Sequence, residues 1–240
     1  MNKILSLIIA FVLIFGMNIS AFASPTPFVT NPLTDEEQTS FIENMPIKKI
    51  DNIDWTNPIH FFDVNEDEMI LVLFSRADDY AVCVYNSDFE FQYGFLFDAY
   101  GTVACEWSGN DIMVYFVRGD IYAKLDQNGQ WTEINEVPYS YENDKLKNSN
   151  LYGKREIIVN DTTYKIQNDM GILNYVQSAD RYSQLIKIDK NDNATILYDV
   201  STEQAIRTIM FLTFFIGFVS TVFYKILKPI IDDAKKKKNK

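Results

Sequence analysis

The sequence predicts a mostly β fold built of antiparallel meander sheets, followed by one transmembrane helix near the C-terminus. Three observations carry this reading. Aromatic residues are abundant, with 18 Phe, 14 Tyr and 3 Trp, and together with many Ile and Val they favour pleated, half-buried strands over helices. From Ile47 onward, short apolar runs are broken by Asp, Asn and Gly at the spacing of successive hairpins. Finally, the stretch from Thr208 to Tyr224 carries no charge. A chain of 240 residues has room for one ordinary domain beside export and anchoring segments.

The formal charge of −11 is unevenly spread. Ser24 to Glu203 holds 31 acidic and 13 basic side chains, a net −18, whereas Lys225 to Lys240 holds 7 Lys against Asp232 and Asp233, a net +5. The acidic body repels phosphate backbones, so no nucleic-acid partner is expected.

In chain order, residues 1–23 read as a secretory signal peptide: Lys3, an apolar run from Ile4 to Phe15, then small residues at Ala21 and Ala23 before a cut. An uncleaved anchor helix is the alternative for the same residues. Residues 24–46 form a linker and short helix. Ser24 to Pro32 is rich in Pro, Thr and Ser. Thr34 and Glu37 then have capping-box spacing, which predicts a helix from Asp35 to Asn44.

Residues 47–202 make up the expected extracytoplasmic β domain. Strands are predicted near Lys48 to Asp51, Ile59 to Val64, Met69 to Phe74, Tyr80 to Tyr85, Phe89 to Phe97, Thr102 to Trp107, Ile112 to Val117, Ile121 to Asp126 and Gln130 to Ile134. After a polar break come Glu156 to Asn160, Thr163 to Gln167, Ser183 to Asp189 and Thr195 to Tyr198. A repeat is visible, because Ile70-Leu71-Val72-Leu73-Phe74-Ser75-Arg76 lines up with Ile112-Met113-Val114-Tyr115-Phe116-Val117-Arg118, 42 residues later. Likewise Leu125-Asp126-Gln127-Asn128-Gly129 recurs as Ile188-Asp189-Lys190-Asn191-Asp192. A period in the low forties suits a four-stranded unit.

On these residues, Ile59 to Ile134, and more loosely Glu156 to Asp199, resembles the blade repeats of β-propellers. The chain is similar to Gram-positive exported single-pass membrane proteins that carry a few such blades before one membrane helix. The resemblance implies two to three propeller-like blades. Closed rings use about four or more, so it implies an open stack of twisted sheets, or a ring completed by another chain.

Residues 206–227 are expected to span the membrane as one helix. Seventeen to twenty residues at about 1.5 Å each match the hydrocarbon thickness of a bilayer, and the apolar residues cover the whole circumference, unlike a buried core helix. Residues 228–240 form a basic tail whose lysines mark the cytoplasmic side. Tyr198 to Thr202 lacks the Leu-Pro-x-Thr-Gly motif of a cell-wall sorting signal, and Lys237-Lys238-Asn239-Lys240 matches a reticulum retrieval ending of a kind common in lysine-rich stop sequences.

Candidate chemistry is sparse. Asp63-Val64-Asn65-Glu66-Asp67 and Asp189-Lys190-Asn191-Asp192-Asn193 have the oxygen spacing of calcium loops but lack their Gly and Glu, and read as hairpin turns. His60 is the single histidine, so a Ser-His-Asp triad would have to run through it, and no Gly-x-Ser-x-Gly elbow exists. Glu106 beside Trp107 has the look of a glycosidase carboxylate next to a sugar-stacking ring, with no partner identifiable from sequence. Arg118-Gly119-Asp120 reads as a hairpin turn with a local ion pair. Cys83 and Cys105 are expected to remain thiols, because in a simple meander their strands lie two apart, beyond the reach of a disulfide. No catalytic, cofactor-binding or metal-ligating residue is assigned, and no cofactor is expected.

The functional expectation is a membrane-anchored extracytoplasmic β-rich module that binds, senses or scaffolds, without catalysis. Its partners would be the lipid bilayer and a protein or surface glycan. The alternative is an extracytoplasmic hydrolase acting on glycan or peptide. A cleft where two carboxylates converge, or His60 meets a hydroxyl, would favour the alternative.

Overall fold

The computed structural model describes residues 28–238, except 55, 77–78, 152–153 and 177–180. The expected signal peptide, residues 1–23, lies outside the described residues. The fold is mostly β, with antiparallel sheets and one C-terminal apolar helix.

Strands β3 (Ile59–Val64), β4 (Ile70–Arg76), β5 (Asp79–Tyr85) and β6 (Phe91–Asp98) form a meander. A second meander runs through β7 (Val103–Ser108), β8 (Asp111–Phe116), β9 (Ile121–Leu125) and β10 (Trp131–Glu136), and a third through β11 (Glu156–Val159), β12 (Thr162–Gln167), β13 (Gln184–Ile188) and β14 (Ala194–Asp199). Two N-terminal strands extend this plan: β2 (Lys48–Ile50) pairs with β6, and β1 (Asn31–Pro32) pairs with β10. The repeat seen in the sequence is therefore structural. Val72 and Val114 occupy the second strands of successive sheets, β4 and β8, and both are fully buried.

The first sheet lies in the middle. One face packs on the second sheet through Leu71, Leu73, Val82, Val84 and Phe95. The other packs on the third through Ile59, Ile70, Val72, Phe74 and Cys83. Covered on both faces, β3, β4 and β5 are apolar almost without alternation, whereas a half-solvated strand would read apolar-polar. Order in space is thus third, first, second. The 137–155 connection, which holds α2 (Tyr141–Leu146) and a π-helical turn (Lys147–Leu151), is long enough to carry the chain back across.

The two cysteines are separated differently from what the simple meander predicts. Thr102 to Trp107 does not continue the meander of β5 and β6 but opens the second sheet as β7. Cys83 and Cys105 are both buried thiols, as expected, yet they are kept apart because they sit in two different cores rather than because a strand lies between them. The four-residue link 99–102 is as short as a hairpin loop, so its length alone hides the crossover.

Four hairpins share one turn. The side-chain oxygen of Asn65 accepts the amides of Asp67 and Met69 at 3.1 and 2.8 Å, and Asn86 accepts those of Asp88 and Glu90. Asp126 does the same for Asn128 and Gln130, and Asp189 for Asn191 and Asn193 at 2.8 and 2.9 Å. The calcium-like segments are hairpin turns, as the sequence reading has it. Each turn closes on a left-handed residue: Glu68, Phe89, Gly129 and Asp192, with φ of 58°, 64°, 83° and 62°.

Helix α1 (Asp35–Asn44) starts at Thr34 with the predicted capping box, in which Thr34 Oγ1 accepts the Glu37 amide and the Glu37 carboxylate accepts the Thr34 amide. Phe41 seats it against Phe116 and Trp131, with ring centroids 5.3 and 5.6 Å away. At the other end, α3 runs Ser201–Lys238 and takes in Pro229. Among the described residues it is the one helix long and apolar enough to cross a membrane, over Ser201–Pro229, and its apolar window is unburied.

Candidate functional site

Polar side chains converge at both ends of the inner strands. At the end where β3 and β7 finish, Asp63 is buried and accepts the Trp107 amide through Oδ2 at 2.7 Å. Its Oδ1 takes the Val64 amide at 3.0 Å and the Lys154 ammonium at 2.7 Å. One carboxylate therefore ties the first sheet to the second and to the segment that leads into the third. The neighbouring Glu106, also buried, has its carboxyl pushed up to about 7 by burial, with Lys154 opposing and the charge of Asp63 reinforcing the rise. Burial, reinforced by the charges of Asp63 and Glu106 and opposed by Lys154, holds the Cys105 thiol well above its ordinary range.

Beside this junction lies a cleft of about 570 Å³, lined by Asn65, Glu66, Asp67, Trp107, Asn110 and Lys154 among others. The indole of Trp107 is fixed by its Nε1, which donates to Met69 O at 3.1 Å. Glu106 has no partner identifiable from the sequence, and the structure supplies Asp63 as a second carboxylate in the same electrostatic environment. All the oxygens of Asp63 that these contacts use are already committed to protein donors.

At the opposite end of β3, His60 Nε2 lies 2.6 Å from Ser75 Oγ on β4. They share a pocket of about 300 Å³ with Asn57, Arg76, Arg181 and Arg207. Asn57 is held there by the Tyr198 hydroxyl, which donates to its carbonyl at 2.7 Å, and by its own amide group, which donates to Ser75 O. Arg207, on α3, donates to Thr56 Oγ1 at 3.2 Å.

The Arg118-Gly119-Asp120 tripeptide is a turn, but its ion pair is not local. Asp120 takes the ammonium of Lys147, 27 residues on, at 2.5 Å and the Tyr115 hydroxyl, which hold its carboxyl below the usual range against the opposing effect of burial. Among the described residues, no group of three or more His, Cys, Asp or Glu is placed to hold a metal ion. Sequence reasoning missed Lys154, Ser75, Arg181 and Arg207, because each meets its partners only through tertiary packing. Asp63 did carry a signal: a charge inside the apolar run Ile59-His60-Phe61-Phe62-Asp63-Val64 has to be satisfied by something distant.

No family model matches the chain, and no curated protein does. Among solved structures, it is similar to a KlHsv2 variant with loop 6CD replaced by a Gly-Ser linker, at 12% identity over 58% of this chain and 38% of that one, TM-score 0.28. It is also similar to a streptogramin B lyase, at 12% identity over 64% and 45%, TM-score 0.27. A third is a catalytically inactive virginiamycin B lyase from Staphylococcus aureus with quinupristin, at 6% identity over 63% and 59%, TM-score 0.27. The match spans 38 to 59% of the length of these chains. Such low scores carry no argument about chemistry.

Proposed function

We propose that this chain is a membrane-anchored extracytoplasmic β module that binds a hydroxyl-rich ligand, a surface glycan, in the cleft beside Asp63. One observation carries the reading: an immobilised indole, Trp107, lines a cleft together with the side chains of Asn65, Glu66, Asp67 and Asn110. A flat aromatic face for the apolar side of a sugar ring, flanked by amides and carboxylates for its hydroxyls, is the donor and acceptor set such a ligand needs. Anchoring is supported by the unburied apolar stretch of α3 and by the lysines that follow it.

Titration of the full chain in detergent with solubilised surface polysaccharide, followed by calorimetry, tests the binding. The affinity should weaken by about tenfold or more in Trp107→Ala, in line with the loss of one buried aromatic contact. Unchanged binding by that variant would remove the glycan from this cleft.

The hydrolase reading has its own observation, the Ser75–His60 contact. A fluorophosphonate probe that labels Ser75 would favour it. Failure to label Ser75 leaves the pair a structural bond between β3 and β4.

A further inference from the structure

Three arginines from three different elements meet in one small pocket of an otherwise strongly acidic domain. Arg76 ends β4, Arg181 precedes β13, and Arg207 lies in the second turn of α3. Among the described residues the ion pairs all use lysine, and no described carboxylate is ion-paired with any of the three guanidinium groups. Even Glu203, one turn before Arg207, is not ion-paired with it. Like charges held together in this way repel unless an anion joins them, and guanidinium forks match the oxygens of phosphate. The pocket also offers the hydroxyl of Ser75. His60 Nε2 lies 2.6 Å from that hydroxyl and lines the same pocket.

A second cavity, of about 340 Å³, adjoins the first and shares Pro58, Arg181 and Arg207 with it, but is extended by Val176 and Phe211. Arg207 immediately precedes the uncharged run from Thr208 to Tyr224. A polar pocket with three cations and an apolar pocket with an exposed phenylalanine thus lie side by side where α3 leaves the domain.

We propose that this pair of pockets binds a phosphodiester anion, supplied by the headgroup of an anionic phospholipid in the adjoining leaflet. The phosphate sits against Arg76, Arg181 and Arg207, and the glycerol and upper acyl carbons lie against Val176 and Phe211. The choice of a lipid source rests on the membrane-anchored reading; the phosphate chemistry does not.

Native mass spectrometry of the detergent-solubilised full chain, with added phosphatidylglycerol, phosphatidylcholine or inorganic phosphate, separates the outcomes. The expected result is one tightly retained phosphatidylglycerol, preferred over phosphatidylcholine about tenfold, and lost in an Arg76→Gln/Arg181→Gln variant. Both positions are exposed and leave the cores untouched. Phosphate binding without lipid preference would overturn the lipid assignment in favour of a soluble phosphate. Equal behaviour of wild type and variant towards all three would overturn the site. Alkaline carbonate extraction of cell membranes is the separate check on anchoring: release of the chain would sink the anchor while the phosphate arm still reads the pocket.

Discussion

Glu106 is the side chain whose environment departs furthest from what its sequence neighbourhood announces. It sits in a strand between Cys105 and Trp107 like any surface position, yet packing leaves it 9% exposed beside Asp63 and Lys154. The folded chain keeps its proton up to about pH 7, whereas the unfolded chain releases it near 4.5. Between those values the native state binds more protons, so this contribution to stability is complete at low pH and is lost as pH rises towards 7. The gap corresponds to on the order of 3 kcal/mol. Glu106→Gln, measured by urea unfolding, should leave stability at pH 5 nearly unchanged, raise it at pH 8 and flatten the slope between. A wild-type stability that stays level from pH 5 to 8 would contradict the burial argument.

Among the elements, strands and the capped helix were legible because their signals are local. Alternation, turn residues and the Thr34–Glu37 box act within a few positions, and the strands follow the predicted order to within a few residues. What was not legible is contact between elements far apart in the chain. The 99–102 link reads as a hairpin, the short β1 gives no periodic signal, and the Asp63–Lys154 pair joins residues 91 apart. The shared turn supplies a direct test. At its left-handed position Gly129 has no space for a side chain, since a Cβ would lie 2.9 Å from Phe95 Cε1. Asp192 in the equivalent place is exposed and strained, with φ of 62°. Gly129→Ala should destabilise by about 1–3 kcal/mol, whereas Asp192→Gly should stabilise by roughly 0.5–1 kcal/mol. Thermal unfolding decides both, and equal shifts would mean that the four turns are not equivalent.

For the molecule as a whole, Asp63 is the point where all three sheets are held. Lys154→Met takes away the cation while Asp63 stays buried, with a cost of about 2 kcal/mol given that Lys154 is partly solvated. A cycle with Asp63→Asn should show strong coupling, the double variant losing less than the two single changes together. Purely additive losses would show that the ion pair does not hold the third sheet in place.

The third-first-second order also governs how the chain can fold as it is made. The first two sheets can close their common core once about 140 residues have emerged, because its buried residues all come earlier, from Phe28 to Val137. The opposite face of the first sheet, with Ile59, Ile70, Val72 and Phe74, gets its first cover from Tyr164 and Ile166 of β12 and is closed only when Tyr182 and Leu185 arrive. For the time needed to synthesise some sixty further residues, several seconds at cellular elongation rates of about 5–20 residues per second, a greasy sheet stays incompletely covered on one side. That interval ends only as the apolar helix follows directly behind. A nascent chain halted between residues 140 and 180 is the form of this protein most in need of a chaperone.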